Sequence, residues 1–225
     1  KDASDMANFY DAAKVLIDTP NINQVFSFSA DEHTRYGATT FGDSLLVARN
    51  VIASDRGARF VQVTFGGWDH HSNIYGKTGN SLYSQGKQLD DAMGPLLTDL
   101  ATTPGTSGKM LLDETLVVII GEFGRTTGPI TANGGRDHYL RMSAVFAGGG
   151  VRGGHAMGVT DDVGNQAKDY GSFDRDVRPE DIAATIYSAL GIDYTIVRPD
   201  DPLGRGFEYV PFAKDGTYKP VDELF

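Results

Sequence analysis

Two short apolar runs limit this chain more than anything else in it. "TLVVIIGE" at 115–122 is an uninterrupted, largely β-branched stretch, and "MSAVFAGGG" at 142–150 repeats the pattern. Runs without polar alternation read as strands covered on both faces, the habit of parallel sheets flanked by helices. Helical periodicity surrounds them. Met6, Phe9, Tyr10, Ala13, Val15, Leu16 and Ile17 recur at near-helical spacing over 2–18, and Pro20 follows as a stop. Leu45, Leu46, Ala48, Val51 and Ile52 make one face between Phe41 and about Ser54, closed by Gly57. A third helix is expected from about Ser81 to Thr102, with Gly94-Pro95 as a kink point. A fourth, over 178–192, has Pro179 in its first turn, Glu180 and Asp181 at the positive end of the dipole, and Gly191 at the C-cap.

Arg59 to Phe65 reads as a further strand, "FSFSADEHTRYGATTFGD" as loop, and the tail from Leu203 as a hairpin turning at "KDGT". Strands alternating with helices predict one α/β domain over 1–225, its parallel or mixed sheet covered on both faces. The longest irregular stretch, Gly124 to Leu140, exceeds what a connection needs, which marks a functional or disordered loop.

Composition excludes several classes. Lys and Arg total 20 against 30 Asp and Glu, giving a net charge of −10. No basic run exceeds two residues, whereas a general nucleic-acid binder needs clustered cations. There is no cysteine, so disulfides and thiolate metal sites are excluded and any ion must sit on oxygen and imidazole. No stretch approaches the ~20 apolar residues of a membrane span. The opening "KDASDMANFY" lacks the apolar core of a signal peptide and reads as helix, so Lys1 is expected not to be the native start.

Ligands of open α/β sheets gather at the carboxyl ends of strands. Three segments fall there: "GGWDHHSN" at 66–73, "GEFGRT" at 121–126 and "GGRDHY" at 134–139. They offer Asp69, His70, His71, Glu122, Asp137 and His138, with Arg125 and Arg136 beside them. Carboxylate and imidazole together suit zinc, manganese or iron, and a carboxylate-rich set also accepts magnesium or calcium. Asp69 and His71 are two apart, so on an extended segment they point the same way and His70 faces elsewhere. That spacing favours Asp69 and His71 as a ligand pair. Blander readings exist for each part. An isolated Asp-His pair in a loop is ordinarily a hydrogen-bonded turn, Arg125 could simply pair with Glu122, and the glycines need only mark tight turns. The coincidence of three such segments favours a metal or anion site.

Longer stretches carry a resemblance. "RYGATTFGDSLLVARNVIASDRGARFVQVTFGGWDHH", "LLDETLVVIIGEFGRTTG", "GGRDHYLRMSAVFAGGGVRGGHAMGVTDD" and "RPEDIAATIYSALGID" resemble the bacterial domain-of-unknown-function family 1501, a sulfatase-like group of the alkaline phosphatase superfamily. The likeness runs in order across nearly the whole chain. It implies a three-layer α/β/α sandwich with a mostly parallel central sheet and a two-ion centre at the strand ends. It also implies that this chain is the C-terminal half of such a domain, the Ser, Thr or modified Cys nucleophile and an early aspartate ligand lying in the N-terminal part. "WDHH" matches the family's Trp-Asp-Thr-His, which gives Asp69 and His71 the first ion. "GEFGR" stands where the superfamily has an Asp-His pair: Glu122 replaces the aspartate, Phe123 removes a ligand, and Asp137 is available to compensate. "GRDHY" matches Gly-Arg-Asp-His-Trp and makes His138 the late histidine ligand.

The activity so implied is an exported, periplasmic or secreted, metal-dependent hydrolase of sulfate or phosphate esters. Its ions would be Zn, Mn, Mg or Ca, and its substrate a small anionic ester or a sulfated or phosphorylated glycan. An N-terminal half or a second chain would complete the site. Arg125 or Arg136 would clamp a tetrahedral oxyanion, and His138 would be a neutral ligand oriented by a carboxylate such as Asp137. Trp68 would wall a sugar ring or pack as a lid, and His155 reads as a loop histidine. The competing reading is a non-catalytic exported pseudoenzyme, or a carbohydrate- or surface-binding protein with at most a structural metal. Phe123 favours it.

Overall fold

The computed structural model describes residues 3–199 and 203–225. The chain divides into two compact units, one of Lys1–Gly66 with Ser84–Leu111 and one of Gly67–Tyr83 with Leu112–Phe225.

The first unit is helical: α1 (Ala3–Asp18), α2 (Ile22–Val25), α3 (Ala30–Arg35), α4 (Thr40–Ala53) and, from Ser84 onward, α5 (Leu82–Thr102). Residue 2 of the expected first helix lies outside the described residues. The short α3 corrects the expectation of loop across 26–43. Ser29 Oγ accepts from the Glu32 amide at 3.2 Å while the Glu32 carboxylate accepts from the Ser29 amide at 2.9 Å. This reciprocal cap starts a helix that has no apolar stripe. Helix α4 opens with Thr39 Oγ1 accepting from the Gly42 amide and buries Leu45, Leu46 and Ala48. Helix α5 runs through Pro95 and buries Ala92, Met93, Leu96 and Leu100.

One carboxylate ties α3, α4 and α5 together. Asp99 Oδ2 accepts from the fully buried Tyr36 hydroxyl at 2.8 Å, from Arg35 at 2.5 Å and from Arg49 at 2.6 Å, and Arg49 also reaches Glu32 at 2.6 Å. Burial pushes the Asp99 pKa up, but these donors outweigh it and hold the carboxyl below its ordinary range.

Residues 59–65 do not form the expected strand. Among the described residues no strand includes 59–65, and Phe60 is 62% exposed. Apolar alternation makes a strand only where a neighbour accepts its backbone hydrogen bonds and covers one face.

The second unit holds β1 (Val117–Ile120), β2 (Gly124–Arg125), β3 (His138–Tyr139), β4 (Ala144–Ala147), β5 (Val159–Thr160), β6 (Ala167–Asp169), α6 (Pro179–Ala189), β7 (Val197–Arg198) and β8 (Phe207–Glu208). The expected α/β/α sandwich with a mostly parallel sheet is overturned. Among the described residues the strands make four two-stranded sheets, all antiparallel: β1 with β4, β2 with β3, β5 with β6 and β7 with β8. The cause lies in the connection between the two apolar runs. Parallel neighbours need a long crossover, usually a helix, whereas 121–143 contains none and folds back through β2 and β3. Nor are the strands covered on both faces. Val118 and Phe146, paired in register, pack on Phe173, Ile182 and Val221, while Ile120 and Val145 remain exposed.

Helix α6 anchors this core. Both Asp181 oxygens accept from Arg175, at 2.7 and 2.9 Å, and the carboxylate also takes the Arg178 amide at 2.8 Å and the Lys219 amide at 3.0 Å. Thr185 Oγ1 accepts from the Val221 amide at 2.9 Å, so the C-terminal segment is pinned to the helix. The expected hairpin at "KDGT" does not form. Ala213–Asp215 make a 3-10 turn ended by Gly216 at φ 73°, and Val210 and Ala213 pack on Ala184. A left-handed glycine ends a helical turn as readily as it turns a hairpin. Among the described residues no helix is long and apolar enough to cross a membrane.

Candidate metal centre

Two backbone zippers in the second unit bring the three chemistry-bearing segments together. The first joins 70–74 to 133–136. The Arg136 amide donates to the His70 carbonyl at 3.1 Å, Asn73 to Asn133 at 3.1 Å and Ile74 to Gly134 at 2.9 Å, around a bridge between Ser72 and Gly134. This approach demands glycine at 135, because a Cβ there would collide with the backbone of His71 and Ser72. The second zipper is the β2–β3 ribbon, which sets Arg125 opposite His138 and Gly124 opposite Tyr139, extended by the Thr126 amide to the Asp137 carbonyl at 3.0 Å. Gly124 is equally constrained, since a Cβ would strike the Arg141 carbonyl.

The outcome is a triangle of donors. His138 Nε2 lies 2.8 Å from Asp69 Oδ1, His71 Nε2 lies 3.1 Å from the same oxygen, and the two imidazole nitrogens are 3.0 Å apart. Two donors each about 2.1 Å from one ion and at right angles to it are about 3.0 Å apart, so these three atoms fit the edge spacing of a shared divalent cation. The residues stand open to solvent, with side chains 48–59% exposed. His70, between Asp69 and His71 in sequence, is buried.

The surroundings set the charge of the triangle. Arg125 pairs with Asp69 Oδ1, and its guanidinium also donates to the Trp68 carbonyl at 3.2 Å and the Arg136 carbonyl at 2.7 Å. The Arg125 guanidinium, then the His138 ring, hold the Asp69 carboxyl down at about 2, so it is an anion at any ordinary pH. Asp137 Oδ1 stands 3.4 Å from His71 Nδ1. A carboxylate there sets a negative charge behind the His71 ring, on the side away from Nε2. Phe123 stacks on the His138 ring, with centroids 4.0 Å apart and planes at 28°.

A family model described as "Protein of unknown function (DUF1501)" matches residues 2–209. The chain belongs to this DUF1501 family. No curated protein and no solved structure matches it.

In this DUF1501 protein the residues singled out by sequence separate into groups. Asp69, His71 and His138 converge. Asp137 joins them through His71 rather than through His138, the ring it was expected to orient. Glu122 is exposed and is not a member of the cluster. Arg136 is turned toward the backbone: Nη1 donates to the carbonyls of Thr126, Thr127 and Gly128, at 2.6, 3.0 and 3.0 Å, and Nε donates to the Tyr75 hydroxyl at 2.8 Å. His155 is exposed. Sequence reasoning missed Phe123 and Tyr75 as supports of His138 and Arg136, and it missed the zipper. The zipper had a readable signal in the Gly134-Gly135 pair, since adjacent glycines mark close backbone approach.

Proposed function

We propose that this protein is a divalent-metal-dependent hydrolase of sulfate or phosphate esters, its ion held by Asp69, His71 and His138. The observation that carries this reading is the triangle of one carboxylate oxygen and two imidazole nitrogens with edges of 2.8, 3.0 and 3.1 Å. When bound, such an ion polarises an ester oxygen and lowers the pKa of a coordinated water or hydroxyl. The chain's own residues prepare for that. Arg125 keeps Asp69 ionised, Asp137 sets a negative charge behind His71, and Arg136 fastens the 126–128 loop beside the site. An anionic ester fits a cation left open on its solvent side. The motif likeness to sulfatase-like members of the alkaline phosphatase superfamily supports the same substrate class, as it supports an exported protein. The antiparallel sheets add nothing to that affiliation, so it rests on the motifs.

The test is turnover. The purified intact protein, freed of metal and reloaded separately with Zn, Mn, Mg and Ca, is assayed on an aryl sulfate and an aryl phosphate. Slow turnover that a chelator abolishes and that His138→Ala lacks is expected. Inactivity with all four ions contradicts the proposal. A second reading, a structural ion in a non-catalytic binding protein, is favoured by one observation: Arg125 and Arg136 direct donors at backbone carbonyls rather than into open space. An ion that raises Tm in the absence of any turnover distinguishes it.

A further inference from the structure

We propose that Asp69, His71 and His138 form a one-ion centre, in which Phe123 stands at the place of a second-ion ligand and seats the His138 imidazole by ring stacking. This rests on the metal reading above and departs from the two-ion arrangement that the motif likeness implies.

The donor inventory comes first. A pair of ions about 4 Å apart needs further protein ligands for the second ion, whatever bridges the two. Within the cluster, Asp69 is the carboxylate whose oxygen meets both imidazoles, and Arg125 binds that same oxygen. Asp137 faces the back of His71, at Nδ1, away from the Nε2 that meets His138. Glu122 is exposed and outside the cluster. The residue after Glu122, where the superfamily has a ligand, is a phenyl ring lying 4.0 Å from the His138 ring and nearly parallel to it. An apolar ring in that position covers one face of the imidazole and offers no lone pair.

Charge points the same way. Asp69 and Asp137 contribute two negative charges, and Arg125 and Arg136 contribute two positive ones against the same segments. One dication already leaves this group of side chains net positive. A second, a few ångströms away, would meet the first ion and both guanidiniums with no additional carboxylate in the cluster that the described residues form, and like charges at that range repel strongly.

Stacking gives Phe123 a positioning role. The His138 side chain is about half exposed, so stacking on one face adds to its Nε2 contacts with Asp69 and His71 in limiting its rotation. Offset aromatic pairs contribute a stabilisation equivalent to about two- to tenfold in an equilibrium constant.

The experiment titrates the metal-free full chain with Mn2+, measuring stoichiometry by calorimetry and the electronic state of the bound ion by electron paramagnetic resonance. One ion per chain with a six-line mononuclear signal is expected. Two ions per chain, or a spin-coupled multiline signal, overturn the one-ion centre while leaving metal-dependent hydrolysis intact. No binding overturns both. Phe123→Leu, with its fold checked by circular dichroism, should bind Mn2+ about two- to tenfold more weakly at unchanged stoichiometry, and Phe123→Tyr should bind as the parent does. Phe123→Met serves as a second ring-free variant should the leucine not fold. Parental affinity in a folded ring-free variant overturns the positioning role of Phe123.

Discussion

His71 Nε2 and His138 Nε2 stand 3.0 Å apart although 67 positions of sequence separate them. Their meeting is the product of backbone geometry. The 70–74 segment lies on 133–136, and His138 is reached by continuing along the chain from there into β3. The triangle therefore depends on Gly124 and Gly135 as well as on the three side chains that form it.

Gly135→Ala tests that dependence. The added methyl meets the His71 backbone, which cannot move aside as a flexible side chain would. The expected cost is about 1–3 kcal/mol of stability by overpacking, accompanied by a loss of metal affinity of about tenfold or more. Chemical denaturation and metal titration read the two effects separately. Parental metal affinity would show that the zipper does not set the site.

Asp69 is predicted to titrate at about 2 in the metal-free protein, held there first by Arg125 and then by His138. A carboxyl NMR titration measures this directly. Arg125→Met removes the first of these donors and should move the midpoint up toward the ordinary value of about 3.9. A midpoint near 4 in the parent would mean that Arg125 does not engage Asp69 in solution.

Parts of this were legible and parts were not, for physical reasons. Helices α4, α5 and α6 announce themselves through apolar spacing and through Pro179, because an amphipathic face is written locally. The spacing of Asp69 and His71 likewise marks two donors for one face. Strand direction is not local. Val117–Ile120 reads identically beside a parallel or an antiparallel neighbour, and only the helix-free connection to Ala144 decides. Helix α3 was signalled by Ser29 and Glu32 at capping-box spacing rather than by periodicity. The arginines were read as anion clamps because a guanidinium suits an oxyanion, but which carbonyls face Arg125 and Arg136 depends on the zipper, which no short window of sequence contains.

Asp181→Asn should destabilise the second unit by about 3 kcal/mol at neutral pH, the scale for breaking a buried ion pair from one side. Burial pushes the Asp181 pKa up, but Arg175 and the amides of Arg178 and Lys219 outweigh it, so the folded value lies below the unfolded one. The sign follows. The stabilisation is fully present above the unfolded value of about 3.9 and is lost as pH falls through the lower folded value. The gap in stability between parent and variant should therefore shrink in acid below about pH 4. A gap that stayed constant into acid would contradict the ion pair.

Asp137→Asn should weaken metal binding by about tenfold, since it removes the negative charge beside His71 Nδ1. Calorimetric titration at neutral pH checks this, with circular dichroism confirming the fold. An unchanged affinity would leave Asp137 a solvated loop residue.

The most direct measurement is equilibrium dialysis of the metal-free parent and of Asp69→Ala/His71→Ala against a divalent cation, followed by elemental analysis. Near-stoichiometric metal on the parent and essentially none on the double variant is the predicted result. Equal metal on both would remove Asp69 and His71 from the site and leave the triangle with His138 without a role.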